Sequence, residues 1–421
     1  MATSVHRQVR LMCLIIFLLS CTEIVLCENK PNDIVEYKGI ITDKVTRNPL
    51  PFANIMVVGT NIATVTNSEG EFSIKVPQSA PTLLVRFIGH KNRTLTLPAT
   101  GTQYLRVELE PIATELPEVS VISKDATALV KAMMDKRDIN YPNDELDMTA
   151  FYRETIKKNR TYASLSEAVV NVYKQPYSSS KQDIISLYKS RKKTDYNKVD
   201  TLVFKLMGGP FNSLYLDIMK NPEMIFTEDM LRHYEFSFDH STRSDDKLVY
   251  VIDFKQTETY KEPLYYGKLY IDAQSLALKS AVFKLNISDK EAAARLFIVK
   301  KPVNARVYPV ETAYRVDYIE DAGKWYYGYS RIEMGMRINW KKKLFNTTYY
   351  STIEMAITDR EKTINGKPVS RKERLRPSVV ISDEASGFSD PGFWGEYNVI
   401  EPEKSIESAI KKIQKQLEKI E

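Results

Sequence analysis

Over most of its length the chain alternates apolar and polar residues with a period of two, and turn residues cut the alternation into short runs. Residues 71–76 show the pattern: Phe72, Ile74 and Val76 alternate with Glu71, Ser73 and Lys75. Successive side chains of a strand point to opposite faces, so such a run fits a half-buried strand and not a helix. Similar runs occupy 37–42, 52–58, 62–66, 82–88, 93–97 and 104–110, with turn signals at Gly59-Thr60-Asn61 and at Asn67-Ser68-Glu69-Gly70 between them. Seven short strands in succession predict a Greek-key β-sandwich over 37–111.

All three cysteines, Cys13, Cys21 and Cys27, fall in the first 27 residues. The rest of the chain therefore has no disulfide, thiolate metal site or cysteine nucleophile, and apolar cores alone must hold it. Residues 1–27 read as a signal peptide. Arg7 and Arg10 precede the apolar run 11–19, which is too short for a comfortable membrane span. Two processing routes stay open. One is cleavage before Glu28, giving a soluble form. The other is a lipobox at Leu18-Leu19-Ser20-Cys21, in which an acylated Cys21 would tie the protein to a membrane.

Pro111 and Pro117 bracket a connector, and 112–145 reads as linker and helix. Ala126, Leu129, Val130 and Met133 recur at helical spacing within 125–137. Strand-like runs then return at 148–156, 161–172, 184–189, 248–254, 265–272, 276–286, 310–319, 324–336 and 344–357. Consecutive hairpins of this kind predict a large antiparallel sheet over 146–400 with one face covered. The apolar stretches 202–207 and 214–219 flank Gly208-Gly209-Pro210 and suggest helices or a lid, and 292–298 suggests one more short helix. In the last segment, 401–421, Ile406, Ile410, Ile413, Leu417 and Ile420 mark a C-terminal amphipathic helix that starts near Pro402.

These segments carry a resemblance. Residues 39–43 (Gly-Ile-Ile-Thr-Asp), 49–55 (Pro-Leu-Pro-Phe-Ala-Asn-Ile), 66–72 (Thr-Asn-Ser-Glu-Gly-Glu-Phe) and 85–90 (Val-Arg-Phe-Ile-Gly-His) resemble the carboxypeptidase regulatory-like domain. That family has a transthyretin-like (prealbumin-like) sandwich and occurs in envelope proteins of Gram-negative bacteria, often ahead of nutrient receptors of the outer membrane. The resemblance implies a non-catalytic sandwich and no peptidase site. Residues 150–154, 166–169, 208–210, 267–272 and 393–398 resemble envelope proteins that pair this sandwich with a larger domain. The strand-turn-strand units also resemble lipoprotein-carrier folds.

No catalytic, cofactor-binding or metal-binding residue emerges from the pattern. His90 ends a strand with no second ligand nearby in sequence, and His233 and His240 match no zinc spacing. The 67–71 turn has too few alternating oxygens for a calcium loop. No nucleophile elbow, P-loop or dinucleotide fingerprint occurs. Lys+Arg number 60 against 54 Asp+Glu, an excess too small and too dispersed for nucleic acid.

Three features bear on binding. Tyrosine pairs at 265–266, 326–327 and 349–350 could stack on glycans or line a peptide groove, although tyrosines on a sheet more often stabilise strand pairs. The basic clusters 189–193, 341–343 and 371–374 read as solvated loops that would also suit anionic lipid heads. Asp200-Thr201-Leu202 resembles an O-glycosylation site. The expectation is an exported, non-enzymatic protein of the periplasm or outer membrane. It would act as a binding or docking module for an envelope protein partner, with a lipid or glycan as a further ligand. The alternatives are a lipid or lipoprotein carrier, which needs an apolar cavity under 202–219, and a hydrolase with two facing carboxylates in a cleft.

Overall fold

The computed structural model describes residues 34–99, 103–112, 125–159, 161–194, 206–244, 247–301, 303–341, 346–363, 369–387 and 392–404. The signal segment with Cys21, the 200–202 motif and the isoleucine stripe of the C-terminal helix lie outside these residues.

Seven strands build the expected sandwich: β1 (Ile34–Asp43), β2 (Asn54–Val57), β3 (Ala63–Val65), β4 (Glu71–Pro77), β5 (Thr82–Arg86), β6 (Arg93–Thr96) and β7 (Leu105–Leu109). They form a three-stranded sheet, β4-β1-β7, against a four-stranded one, β3-β2-β5-β6. The alternation predicts which residues meet inside: Ile41, Ile55, Phe72, Ile74, Leu83, Val85 and Val107 share one core. The turn before β4 is a tight one. Asn67 Oδ1 accepts from the N–H groups of Glu69 and Glu71, each at 2.9 Å, and Gly70 takes φ +73°. The one carboxamide oxygen that could have met a cation is thus used by the backbone.

The third and largest sheet contains β8 (Leu146–Lys158), β9 (Thr161–Lys174), β10 (Ile184–Thr194), β11 (Tyr234–Ser244), β12 (Lys247–Gln256) and β13 (Tyr265–Asp272). It continues with β14 (Leu278–Leu285), β15 (Ala305–Asp321), β16 (Lys324–Trp340), β17 (Thr347–Lys362) and the short β18 (Ser386–Gly387). Their order is β11-β12-β13-β14-β15-β16-β17-β8-β9-β10-β18. All neighbours are antiparallel except β10 and β18. Helices are few: α1 (Ala126–Asp135), α2 (Arg137–Asn140), α3 (Pro210–Tyr215), α4 (Glu228–Leu231), α5 (Lys290–Phe297) and α6 (Ile381–Glu384). None of the described helices is long and apolar enough to cross a membrane.

One face of this sheet is apolar. Ala150 and Tyr152 of β8, Val170 and Val172 of β9 and Met355 of β17 pack there against α1 and the cap segment 206–231. Helix α1 starts where Asp125 accepts from the Ala128 N–H at 2.9 Å. It buries Ala126, Leu129, Val130 and Met133, as the spacing predicts. The opposite face receives the sandwich and the segment 392–404. Phe52, Val65, Phe151, Val169, Tyr329, Trp394 and Ile400 meet in that seam.

Several strands outrun their sequence pattern. β15 begins upstream of 310 because Pro309 sits at a register shift, where its missing N–H breaks no ladder bond. β16 continues through a bulge at Gly328, where Tyr327 and Tyr329 oppose Tyr318 and Asp317 in turn. The bulge flips the alternation, so Tyr327 faces the apolar core and Tyr329 faces the sandwich. β10 runs through the basic cluster 189–193, which is therefore not a solvated loop. Lys189 donates to the Phe393 carbonyl and Arg191 pairs with Glu167. Residues 401–403 are not yet helical; they lie along the sandwich, with Glu401 paired to Lys38 at 3.2 Å, and Lys404 is the first helical residue.

Candidate functional site

Register brings together charges that lie far apart in sequence. Arg191 on β10 is opposite Glu167 on β9, which is opposite Arg153 on β8. Arg153 is opposite Glu354 on β17, Glu354 opposite Arg331 on β16, and Arg331 opposite Arg315 on β15. The first five alternate in sign and bond in series. Arg191 Nε donates to Glu167 at 2.8 Å, and Arg153 Nε donates to the same carboxylate at 2.7 Å. Arg153 Nη1 and Arg331 Nη1 share Glu354 at 3.1 and 2.9 Å. Arg153 Nη2 adds a bond to the Ile400 carbonyl at 2.7 Å. Burial alone would push the Glu167 carboxyl up, but Arg153 and Arg191 outweigh it and hold the group below its usual range. Burial opposes the Arg153 charge, and Glu167 and Glu354 more than restore it.

The sandwich sits on this ladder. Phe52, at φ +62°, stacks on Tyr329 at 5.6 Å between centroids. The Arg315 and Arg331 guanidiniums lie 5.3 and 5.0 Å from its ring. Segment 392–404 clamps the seam: Trp394 meets Phe151 edge-on, and the Asn398 side chain bonds both the N–H and the carbonyl of Lys75.

Beside the ladder a polar cleft of about 370 Å³ opens between sheet and sandwich. That is within the range of small-molecule sites. Ser68 and Glu403 form its rim, joined by a 2.6 Å hydrogen bond. Its floor is three cross-strand rows. The deepest is Arg153, Glu354 and Arg331; the next is Thr155, Thr352 and Glu333. The outermost crosses five strands as Tyr162, Lys157, Tyr350, Gly335 and Glu311. The carboxylates of the two inner rows are held by guanidinium: Glu354 as above, and Glu333 by Arg331 at 2.7 Å. In the outermost row Lys157 lies 4.3 Å from the Tyr162 ring. Neither Lys157 nor Glu311 joins an ion pair among the described residues. Three strand spacings separate them, about 14 Å. A side chain at Gly335 would crowd Tyr350 and Val310, so glycine keeps the middle of the row open.

On the apolar face, the cap is fastened by a buried clasp. Lys174 Nζ lies 2.7 Å from both Asp183 and Asp217, and Tyr177 and Tyr318 donate to Asp217 at 2.8 and 2.9 Å. The space under 214–219 is filled: Leu214, Leu216, Ile218 and Met219 are buried in the main core. Farther along the same face, burial pushes the Glu154 carboxyl up to about 7, a bond from Tyr152 partly offsets this, and the Asp383 charge adds to it. Neither Glu154 nor Asp383 lines the polar cleft or the smaller cleft around Phe52 and Arg86.

The other sequence candidates separate. His90 is inside the sandwich, its Nε2 at 2.8 Å from Asp43, whose carboxyl the Thr46 N–H and His90 hold down at about 2. His233 packs on Tyr260, while His240 bonds Asp239. Seven extended residues put these two histidines about 20 Å apart, too far to share an ion. The tyrosine pairs straddle their strands: Tyr327 and Tyr349 are buried, Tyr266 and Tyr350 exposed. Sequence reasoning missed the ladder, although Arg153 and Glu167 stand within two of the segments that carried the resemblance. Its sequence signal is weak: Glu167 is a lone charge in β9 until Lys174, whereas Arg153 is followed directly by Glu154.

Residues 37–121 match the model of the CarboxypepD_reg-like domain family. No curated protein matches the chain significantly. Among solved structures, a DUF1329 family protein from Desulfovibrio piger superposes with 12% identity and a TM-score of 0.22, over 57% of this chain and 93% of that one. Lipovitellin, in a structure describing lipid–protein interactions, gives 5% identity and 0.26, over 60% of this chain and 28% of that one. A LolA superfamily protein from Nitrosomonas europaea gives 12% and 0.19, over 56% and 94%. These superpositions are loose, and the functional reading rests on the chain's own geometry.

Proposed function

We propose that this chain, whose residues 37–121 match a regulatory-like sandwich family, is a non-catalytic, exported protein of the cell envelope that binds a ligand in the polar cleft. The observation that carries the reading is the outermost row of the floor. It offers one cation, Lys157, and one carboxylate, Glu311, neither in an ion pair among the described residues, with Tyr350 and an open glycine between them and Tyr162 beyond the lysine. This arrangement fits a short dipolar peptide, its carboxylate on Lys157 and its ammonium on Glu311. At about 3.3 Å per residue, four extended residues span the gap. The carboxylates of the inner rows are neutralised by arginine, which supports binding over acid–base chemistry. Among the described residues Glu154 is the carboxyl pushed near neutrality, and it lines neither the polar cleft nor the cleft around Phe52 and Arg86. A carrier reading would need the cap 206–231 to lift, because its apolar side chains already fill the space beneath them.

Calorimetric titration with tetrapeptides tests this. Peptides with free ends should bind, and Lys157→Gln or Glu311→Gln should each weaken them about tenfold. N-acetylation should erase the effect of Glu311→Gln, and C-amidation that of Lys157→Gln. Binding by neutral glycans with no response to either substitution would put a sugar in the cleft. Silence towards both ligand classes would remove the site.

A further inference from the structure

One end of the large sheet displays a surface that globular packing does not require. Helix α5 and the chain after it are anchored from within: Phe297 and Ile298 pack on the small core of Ile156, Val307 and Ile338. The aliphatic residues around them point the other way. Leu296 is 57% exposed, Val299 81% and Val303 97%. Single exposed aliphatics are ordinary, but three within eight residues on one protruding segment are not.

The lysines around them form no ion pair among the described residues, while the acids nearby are paired to arginines. Lys300 and Lys301 lie between the two valines and are exposed. The Asn304 carbonyl accepts from the Lys341 N–H at 3.0 Å, which ties the segment to the end of β16. Register then places Lys158 at the same end, through the pairs Ala305–Trp340, Ile338–Thr347 and Tyr349–Lys158. None of these four lysines forms an ion pair among the described residues. The acids nearby are already engaged: Glu291 holds Arg306 at 2.6 Å, and Glu262 faces Arg295 at 3.7 Å.

Exposed aliphatic side chains ringed by unpaired lysines match a phospholipid surface, where the apolar groups enter the acyl boundary and the ammonium groups meet anionic heads. We propose that the tip formed by Leu296, Val299 and Val303, with Lys158, Lys300, Lys301 and Lys341, docks the protein on an anionic bilayer. A membrane-bound chain would present the polar cleft, which lies beside Lys157 and Tyr350, close to the lipid surface.

Cosedimentation of the full chain with vesicles is the test, comparing phosphatidylglycerol-rich with pure phosphatidylcholine vesicles. The parent should favour the anionic vesicles and release at high salt. Lys300→Glu/Lys301→Glu should weaken binding at least about 25-fold, roughly fivefold for each lysine removed. Val299→Asp/Val303→Asp should weaken it by a similar factor, whereas Val45→Asp, at a residue 71% exposed on the sandwich, should change nothing. Amide exchange on the vesicle-bound chain locates the contact, and 298–304 should gain protection. Undiminished binding by the valine variant together with protection elsewhere overturns the proposal. So does the absence of binding to anionic vesicles.

Discussion

Glu154 shows what one buried carboxyl does to the whole chain. Its group is pushed from the ordinary 4.5 to about 7, because burial disfavours the charged form. The folded chain therefore keeps a proton that the unfolded chain gives up between these values. Stability is full below pH 4.5 and declines as pH rises through 7, by about 3 kcal/mol from this group. Glu154→Gln has no proton to lose, and Tyr152 can still donate to it. Denaturant unfolding at about pH 5 and about pH 8 should show the variant gaining on the parent at the higher pH. An equal difference at both values would mean that the carboxyl is not perturbed. Arg153 sits at the opposite extreme. Arg153→Ala would take one of the two guanidiniums from each of Glu167 and Glu354 and leave an emptied space between them; it should cost about 3–5 kcal/mol, as for a broken buried ion pair.

At the level of elements, the cap and the Phe52 loop are each held by a few named contacts. Asp217→Asn keeps the volume but removes the charge that faces Lys174. Amides of 210–226 should then exchange about 30-fold faster, for a loss near 2 kcal/mol, while those of the sandwich stay as they were. Phe52→Ala removes the ring between Arg315 and Arg331, at about 1–3 kcal/mol, and should make the seam a site of limited proteolysis. Much of this level could be read from the sequence. The alternation gave the strands of the sandwich and its core, and the four-and-three spacing gave the buried face of α1. What could not be read has a physical cause. Pro309 and Gly328 break the period without ending their strands, because bulges absorb them. The basic run 189–193 looks like a loop because its charges are satisfied by residues up to 204 positions away. The polar cleft and the lysine-ringed tip arise from register and chain reversal, which single runs do not encode.

Across the whole molecule, a two-sheet sandwich and a large sheet, each with its own core, are pressed together over a band of paired charge rather than over an apolar seam alone. Such a band specifies one seating: sliding the sandwich by a strand would place Phe52 away from its two guanidiniums. Thermal unfolding of the full chain should therefore be followed by both cores together, and the sandwich should melt at lower temperature when Phe52→Ala loosens the seam. Two transitions already present in the parent would show that the bodies are energetically separate. The strand order carries one more consequence. Strand β8 rests against β17, so Arg153 finds Glu354 only when the chain has grown 201 positions further. A chain emerging from its amino end can fold the sandwich at once, and can pair β8 with β9 and β10. That three-stranded piece must then wait, both edges open, because its two outer neighbours, β17 and β18, are the last strands to be made. Closure over so long a separation is slow, and an open edge recruits strangers. The protein's most hazardous moment thus falls late in its making, and a chaperone that shields β8 during this interval would govern its yield.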